Sequence, residues 1–343
     1  MTEQIYTGAI KHVESPLDYK TKEVAFASQP FDWAQGYDIE SIIGVIPSKD
    51  QGSAGSCGGQ AWSYHEAAIL AGLNKAPYIE QSAKFVYSQT FVKGGGSDGR
   101  TNCDLIVKKG IATEALTPSY INGLPPDESF MERPQDITPE AFADAKTKIA
   151  LSFSVGVVTI DEVARMARDN FGTIIGIDGS NNGTWRSAFP VPPAAGKAEW
   201  SHWLYVGKAK LINGKKYIGV KNSWGDSTGE KGWQWIGEDY FQNYMIWVNW
   251  NMIPKIPNPI RDDVFTKPLT YGMQDPDVVM LQQKLQKQGF FPKNVNCTGY
   301  FGDITARAVK AWQVANGLMD FANETNLKKI RFGEKSIAKL NKQ

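Results

Sequence analysis

The longest helical pattern in the chain covers residues 57–72. Apolar and ring side chains recur there on one face at helical spacing, at Trp62, His65, Ile69 and Leu73. Ser53 or Ser56 can cap the start of this helix, and Gly72 can end it. The pattern therefore predicts a helix that packs one face into a core.

Two shorter helical patterns and three strand patterns come later in the chain. The helices are expected over residues 139–148 and 160–170. Apolar, aromatic or β-branched residues fill the strand patterns, residues 171–177, 203–212 and 216–220. Asn213-Gly214 joins the last two strands and is a strong signal for a β-hairpin. A helix-rich first half and a strand-rich second half predict an α+β domain with two lobes.

The character of the chain changes after Trp250. Ten of the eleven tryptophans lie at or before this residue, and three prolines follow within six residues, from Pro254 to Pro259. Such a segment favours a stiff, extended connector. The sequence predicts four segments: an N-terminal extension (1–28), a first domain (29–252), a proline-rich linker (253–268) and a small domain (269–343). The small domain has three helical patterns, residues 276–289, 303–317 and 334–340.

Composition narrows the classes of function. The 343 residues leave room for two domains, and 42% apolar with 21% charged residues is typical of a soluble globular protein. A net charge of +1 gives no field that would attract nucleic acid or a membrane surface. No run of apolar residues approaches the roughly 18 needed to span a bilayer, and the N-terminus lacks the apolar core of a signal peptide. Three cysteines cannot form a disulfide framework, which favours a reducing compartment.

Candidate chemistry begins in the stretch from Asp50 to Trp62. Gln51 lies six residues before Cys57, a glycine-rich turn joins the two, and the predicted helix starts at the cysteine. This arrangement aims a thiol, a side-chain amide and the free N–H groups of a helix start at one point. That point can hold the oxyanion of an acyl-transfer reaction.

A nucleophilic cysteine needs a base, and the chain has three histidines. His12 lies in a polar segment with no partner nearby in the sequence. His65 is eight residues past Cys57 on the same predicted helix. That is about 12 Å along the axis, too far for a hydrogen bond, and a core position is the better interpretation. His202 is left as the candidate base.

The predicted hairpin brings Asn222 to the same open end as His202. Pairing around Asn213-Gly214 leaves the two a few residues out of register, a gap that a bulge or the reach of a side chain can close. An asparagine oxygen can accept from one imidazole nitrogen and leave the other free to face the thiol. The indole of Trp224 could cover that bond.

These stretches resemble the papain family of cysteine peptidases. The matching segments are those around Gln51 and Cys57, Trp200-Ser201-His202-Trp203, Asn222-Ser223-Trp224-Gly225 and Gly229-Glu230-Lys231-Gly232-Trp233, and together they cover roughly residues 30 to 250. The resemblance implies a papain-like two-lobed fold that hydrolyses peptide bonds without a metal or cofactor. It implies that Cys57 is the nucleophile, with a pKa lowered by the helix start and His202. His202 is then the general base, Asn222 the residue that orients it, and Gln51 the oxyanion-hole amide.

The chain also departs from the family pattern. Gly58 stands where the family has an aromatic residue after the cysteine, and the long inhibitory propeptide is missing. Residues 1–28 are either a strap across the cleft or a loose tail, and the tail is the favoured interpretation. Gly95 and Gly96 match the glycine pair that binds extended substrate, with a plain flexible loop as the alternative. Trp224 is the remaining candidate substrate contact.

The last domain resembles the three-helix peptidoglycan-binding domain of bacterial and phage cell-wall enzymes. The matching residues are mostly structural: Leu281 and Leu285 in the core, Gly302 at a turn and Thr305 at a helix cap. Small helical bundles serve many different functions, so the prediction that this domain binds the cell wall depends on the resemblance alone. Tyr300 and Phe301 are candidates for contact with the wall, and core packing is the alternative for both.

The expected function is therefore that of a cysteine endopeptidase held near bacterial peptidoglycan. The substrate is either protein, which the Asn-Ser-Trp-Gly context favours, or the stem peptides of peptidoglycan. An inactive papain-like scaffold and acyl transfer to an amine are further alternatives. A wall-binding module without a signal peptide suggests a phage or bacterial protein. It would act after lysis, in a virion or after non-standard export.

Overall fold

The structure is a computed structural model of the 343-residue chain. It describes residues 6–11, 30–148, 150–156, 158–254, 265–293, 295, 297–318 and 324–341. The chain divides into two compact units between Ile253 and Pro254. Most of the expected N-terminal extension and residues 255–264 of the expected linker lie outside the described residues.

The helices of the first unit are α1 (Glu40–Ile43), α2 (Cys57–Asn74), α3 (Ala83–Thr90), α4 (Gly99–Lys109), α5 (Glu128–Met131), α6 (Pro139–Lys146), α7 (Ile160–Asp169) and α8 (Glu238–Gln242). Its strands are β1 (Ala9–Ile10), β2 (Tyr37–Asp38), β3 (Ser97–Asp98), β4 (Ala150–Val155), β5 (Thr173–Gly179), β6 (Trp200–Ile212), β7 (Lys215–Lys221), β8 (Trp233–Gly237) and β9 (Ile246–Pro254). The predicted helices and strands of this unit are all present, with shifted ends.

The central helix α2 extends two residues beyond its predicted end at Gly72, because this glycine is a packing position and not a cap. A β-carbon there would lie 2.2 Å from the Phe171 ring, so only glycine lets the ring approach. The helix ends at Asn74, and Lys75 takes the left-handed conformation with φ 48°. Phe171 is also left-handed, with φ 53°, so the strand predicted from residue 171 starts at Thr173.

One antiparallel sheet forms the second lobe. Its strand order among the described residues is β4-β9-β5-β6-β7-β8, with β2 on the edge of β6. The predicted hairpin is confirmed: Ile212 pairs with Lys215, and a bulge between Val206 and Lys208 shifts the register of the far end by one residue. One core packs Ile174, Trp203 and Trp250 with α2 and α4, and a second core packs Ile175, Leu204 and Val206 with α7. The sheet therefore presents one face to the helical lobe.

The second unit contains α9 (Pro276–Lys287), α10 (Asp303–Ala315), α11 (Glu334–Leu340) and the strand pair β10 (Leu269–Thr270) and β11 (Arg331–Phe332). Leu281 and Leu285 lie in its core, as predicted. Gly302 occupies the cap position of α10. Thr305 is not the cap: it lies inside the helix, where its hydroxyl donates to Tyr300 O (3.0 Å) and accepts from Gln282 Nε2 (2.7 Å). The predicted α+β domain followed by a small three-helix domain is confirmed.

Candidate active site

Cys57 is the first residue of α2 and is fully buried. The next two residues explain how the chain packs so closely around it. A β-carbon on Gly58 would lie 2.1 Å from Ser97 Oγ and 2.7 Å from Asn102 Nδ2, and one on Gly59 would lie 2.4 Å from Ala83 O. Gly58 replaces the aromatic residue of the family pattern because β3 and α4 occupy the space that its side chain would need.

The Gln51 amide is buried and fixed in orientation. Its Oε1 accepts from Ser223 Oγ (2.6 Å), and its Nε2 donates to Ala54 O (2.7 Å) and to Tyr6 O (3.3 Å). Because the amide oxygen already has a hydroxyl donor, Nε2 is the end that faces the N-terminal residues. The structure thus places an N–H donor six residues before Cys57, on a loop tied to the Asn222-Ser223 segment.

His202 and Asn222 lie together, with His202 Nε2 and Asn222 Oδ1 3.0 Å apart. The Trp224 ring stacks on the imidazole, with the centroids 4.7 Å apart at 27°. His202 Nδ1 is buried and has no hydrogen-bond partner among the described residues. The bulge in the hairpin helps to bring His202 and Asn222 together, because it shifts the pairing of β7 by one residue relative to β6.

Gln234 on β8 sets the polarity of this pair, and no motif in the sequence pointed to it. Its Nε2 donates to the carbonyls of Trp185 and Ser187, both at 2.8 Å, so its Oε1 is left to accept from Asn222 Nδ2 at 2.7 Å. Asn222 Oδ1 must then face His202, which places the imidazole proton on Nε2. The lone pair of Nδ1 is therefore free to take a proton.

Burial favours the neutral forms of both Cys57 and His202. Burial raises the pKa of the Cys57 thiol to about 12, although backbone hydrogen bonds from Trp203, Gly8 and Gly58 act in the opposite direction. Burial lowers the pKa of His202 to about 4, against the hydrogen bond to Asn222. The sequence predicted a lowered thiol pKa, and the difference arises because the site is covered.

Residues 6–11, here called the N-terminal strap, provide that cover. Tyr6 O accepts from Trp224 Nε1 (3.0 Å) and from Gln51 Nε2, and Gly8 O accepts from Ser97 N (2.8 Å). Ala9–Ile10 then pairs in parallel with β3. The strap therefore crosses from the Gln51 side of Cys57 to β3. The favoured interpretation of a loose tail is wrong for these residues.

Gly8 packs backbone against backbone with two other glycines. A β-carbon on Gly8 would lie 2.0 Å from Gly55 O, and one on Gly96 would lie 2.4 Å from Gly8 O. The thiol of Cys57 meets a backbone hydrogen bond from Gly8. The strap therefore passes next to the thiol at Gly8.

Gly95 and Gly96 shape the bend before β3. Both are left-handed, with φ 95° and 90°. The Gly96 N–H donates to Tyr87 OH (2.8 Å) and its carbonyl accepts from Val92 N (2.9 Å). The backbone N–H that binds the strap belongs to Ser97, the residue after the predicted pair.

Glu128 is a second contact that the sequence did not reveal. One carboxylate oxygen accepts from Gly55 N (2.5 Å), in the loop just before the cysteine, and the other accepts from Tyr87 OH. Because Tyr87 also holds the Gly96 N–H, one carboxylate fixes both walls that enclose Gly8. Glu128 lies 73 residues from Gly55 and 41 from Tyr87 in the sequence, too far for spacing to indicate either contact.

The other candidates lie elsewhere. His65 is buried and contacts Asn170 O (3.3 Å), a core position as expected, and Cys103 is buried beside Trp62 Nε1 (3.3 Å). Tyr300 and Phe301 are 6% and 0% exposed in the second unit, which agrees with core packing. His12 lies outside the described residues. Within the described ranges no cluster of three metal-ligating side chains occurs, and no helix is both long and apolar enough to cross a membrane.

Comparison with solved structures places the first unit among papain-like folds. Xylellain, a cysteine protease from Xylella fastidiosa, matches with a TM-score of 0.56 at 19% identity, over 72% of this chain and 95% of that one. ProCathepsin B S9 from Trypanosoma congolense matches at 0.56 with 14% identity, over 73% and 87%. Digestive procathepsin L 3 of Tenebrio molitor larval midgut matches at 0.53 with 17% identity, over 70% and 76%.

A family model described as "Putative peptidoglycan binding domain" matches residues 274–319, within the second unit. No curated protein matches the chain by sequence. The chain therefore combines a papain-like α+β fold with a C-terminal module similar to peptidoglycan-binding domains.

Proposed function

We propose that this protein is a cysteine endopeptidase that acts at the bacterial cell wall. Cys57 is the nucleophile, His202 the general base, Asn222 the residue that orients this base and Gln51 the side-chain donor of the oxyanion hole. The main support is the polarity of the Gln234–Asn222–His202 chain, which leaves the Nδ1 lone pair of His202 free. His202 belongs to β6, and this strand packs against the helix that begins with Cys57. The papain-like fold of the xylellain and cathepsin structures supports the same reaction class.

Catalysis in this scheme begins when the strap leaves. His202 Nδ1 takes the thiol proton, and the thiolate attacks a peptide carbonyl. Gln51 Nε2 and the Cys57 N–H bind the oxyanion. His202 then protonates the leaving amine and activates water to release the acyl group. Trp224 excludes water from the bond between His202 and Asn222, since its ring already stacks on the imidazole.

The direct test offers casein and purified peptidoglycan to the wild type and to Cys57→Ala. Cleavage of casein by the wild type alone supports the endopeptidase. Release of stem peptides from peptidoglycan supports the alternative, a lysin-type peptidase, which the match at residues 274–319 favours. The same substrates are offered to Gly8→Ala, whose added β-carbon displaces the strap. If neither the wild type nor folded Gly8→Ala cleaves either substrate, the protein is an inactive binding scaffold.

The C-terminal unit is proposed to bind peptidoglycan. A cavity of about 460 Å³ lies beside α10 and α11, with Gln313, Arg331 and Lys335 among its lining residues. Gln313 is 3% exposed and its Oε1 has no hydrogen-bond partner among the described residues, so it can accept from a ligand amide. This cavity is a better candidate for the wall contact than the buried Tyr300 and Phe301.

Fragments test the division of labour. A chain ending at Ile253 should keep its activity on a small peptide and lose co-sedimentation with insoluble peptidoglycan. The fragment 265–343, which keeps the core residue Phe265, should co-sediment at moderate salt, and Gln313→Ala should weaken its binding. A fragment that stays in the supernatant at low and moderate salt would refute wall binding. Action at the wall after lysis, in a virion or after non-standard export belongs to the same proposal.

A further inference from the structure

We propose that Asp178 is a specificity-determining residue that binds a cationic side chain of the substrate, and that Lys11 of the strap occupies this subsite while the cleft is covered. That the bound cation belongs to a substrate depends on the proposed peptidase function. The existence of a cation-binding subsite depends only on the contacts of the strap.

Asp178 lies beside the proposed base, on the face of the sheet that looks toward the strap. It pairs across the sheet with Ser201, one position from the pair of Ile177 and His202. Side chains alternate along a strand, so Asp178 and Ser201 share a face with Trp203. The Trp203 indole donates to Ser97 O (3.0 Å) on β3, the strand with which the strap pairs.

The carboxylate of Asp178 is arranged for a cation. The residue is 5% exposed; Oδ1 accepts from Ser201 Oγ (2.7 Å) and Oδ2 from Lys11 Nζ (2.6 Å). Among the described residues, Lys11 supplies the positive charge within 4 Å. A buried carboxylate that loses its only counter-ion is strongly disfavoured. When the strap leaves, a cation on the incoming ligand restores this pairing.

The two partners differ in exposure, which tells which of them belongs to the site. The Lys11 side chain is 57% exposed, against 8% for that of Asp178. Lysine loses little hydration in the pair and can return to water at low cost, whereas the carboxylate stays in the protein. Asp178 therefore forms a fixed anionic subsite, and the Lys11 ammonium is a cation that can leave it. An ammonium on a protein lysine or on the diamino acid of a stem peptide fits it equally.

Protection of Cys57 from alkylation tests the subsite without any need for catalysis. The full-length Lys11→Met variant is treated with iodoacetamide in the presence of the hexapeptide Tyr-Thr-Gly-Ala-Ile-Lys or its norleucine-ended analogue. The lysine peptide should protect at a concentration about two- to fivefold lower, the range of a partly exposed charge pair. In Lys11→Met with Asp178→Asn the two peptides should protect equally.

Matched variants separate this role from a structural one. Lys216→Met removes a partly exposed lysine that pairs with Asp161 in the same unit, and it should leave the alkylation rate of Cys57 unchanged. Lys11→Met should raise that rate, and Lys11→Arg should not. If the lysine and norleucine peptides protect Lys11→Met equally, Asp178 is not a cation subsite.

Cleavage assays then show whether the cation that binds Asp178 comes from a protein lysine or from the diamino acid of a stem peptide. Lysine-containing peptides are compared with norleucine analogues, and a stem peptide with a free diamino-acid amine is compared with its acetylated form. In the Lys11→Met background, where the strap pair is already absent, Asp178→Asn should lower kcat/KM for the cationic member and leave the neutral one unchanged. An equal loss for both members would refute the specificity role. Selective protection without cleavage of any peptide would refute the peptidase and leave the subsite standing.

Discussion

The minimal perturbation of the N-terminal strap is Gly8→Ala. The added β-carbon would lie 2.0 Å from Gly55 O and 2.6 Å from Gly55 C, both backbone atoms that cannot turn aside. Gly8 does not have the left-handed backbone that favours glycine, so the effect is purely steric. A shift of about 1 Å is needed to restore normal contact, and it displaces the strap from its seat.

The shift breaks three hydrogen bonds: two to Tyr6 O, from Gln51 and Trp224, and one from Ser97 N to Gly8 O. At about 0.5–1.5 kcal/mol each, their loss costs about 1.5–4.5 kcal/mol. The open fraction of the cleft should therefore rise by roughly 10- to 1000-fold. The rate at which iodoacetamide labels Cys57 should rise by a similar factor.

Alkylation followed by peptide mapping measures the effect at each cysteine. Gly333→Ala is the matched control, because a β-carbon there meets open space. Cys103 is buried in the core and serves as the internal reference for global unfolding. If Gly8→Ala labels Cys57 no faster than the wild type does, the strap does not control access to the thiol. If Cys103 labels equally fast, the substitution has unfolded the domain.

Three further predictions follow from the site and its surroundings. Cys57→Ala should abolish peptide hydrolysis and Gln51→Ala should lower kcat by about 10²- to 10³-fold, the usual cost of one oxyanion donor; an unchanged kcat would remove Gln51 from the oxyanion hole. Gly58→Ala should lower the unfolding free energy measured by denaturant titration by about 1–3 kcal/mol, because the added β-carbon would lie 2.1 Å from Ser97 Oγ. Adding Ser97→Ala should restore part of this stability, and a failure to do so would mean that the β-carbon clashes with a different atom. Burial lowers the pKa of His65 from 6.5 to about 4, so the contribution of neutral His65 to stability is present above pH 6.5 and is lost as the pH falls toward 4. The difference in unfolding free energy between the wild type and His65→Gln should therefore shrink over that range, and a constant difference would contradict the buried neutral state.

Local signals in the sequence predicted the helix at Cys57, the hairpin around Asn213-Gly214 and the candidates for nucleophile and base. These features depend on neighbouring residues or on one turn, so spacing carries them. Gln234 and Glu128 escaped prediction because their partners come from distant strands and loops. A glutamine or glutamate in such a place has no local pattern to mark it.

Glycine was the residue type most easily misread. Gly72 looked like a helix end and is a packing position, because Phe171 arrives from another part of the chain. In the sequence, Gly58 appeared as an unexplained replacement of an aromatic residue. In the structure, its lack of a side chain makes room for β3. In both cases a missing side chain serves a partner far away in sequence. Sequence shows the absence of the side chain but not what fills its place.

The strap does more than block the cleft, because it also changes the chemistry of the groups beneath it. In the covered site, burial raises the pKa of Cys57 to about 12 and lowers the pKa of His202 to about 4, so both shifts oppose transfer of the thiol proton to the imidazole. Water that enters when the strap leaves reduces this desolvation and favours the charged pair. Departure of the strap therefore opens the cleft and permits the reactive thiolate in one step, so a partly loosened strap that admits water should raise alkylation of Cys57 even where it still excludes a peptide.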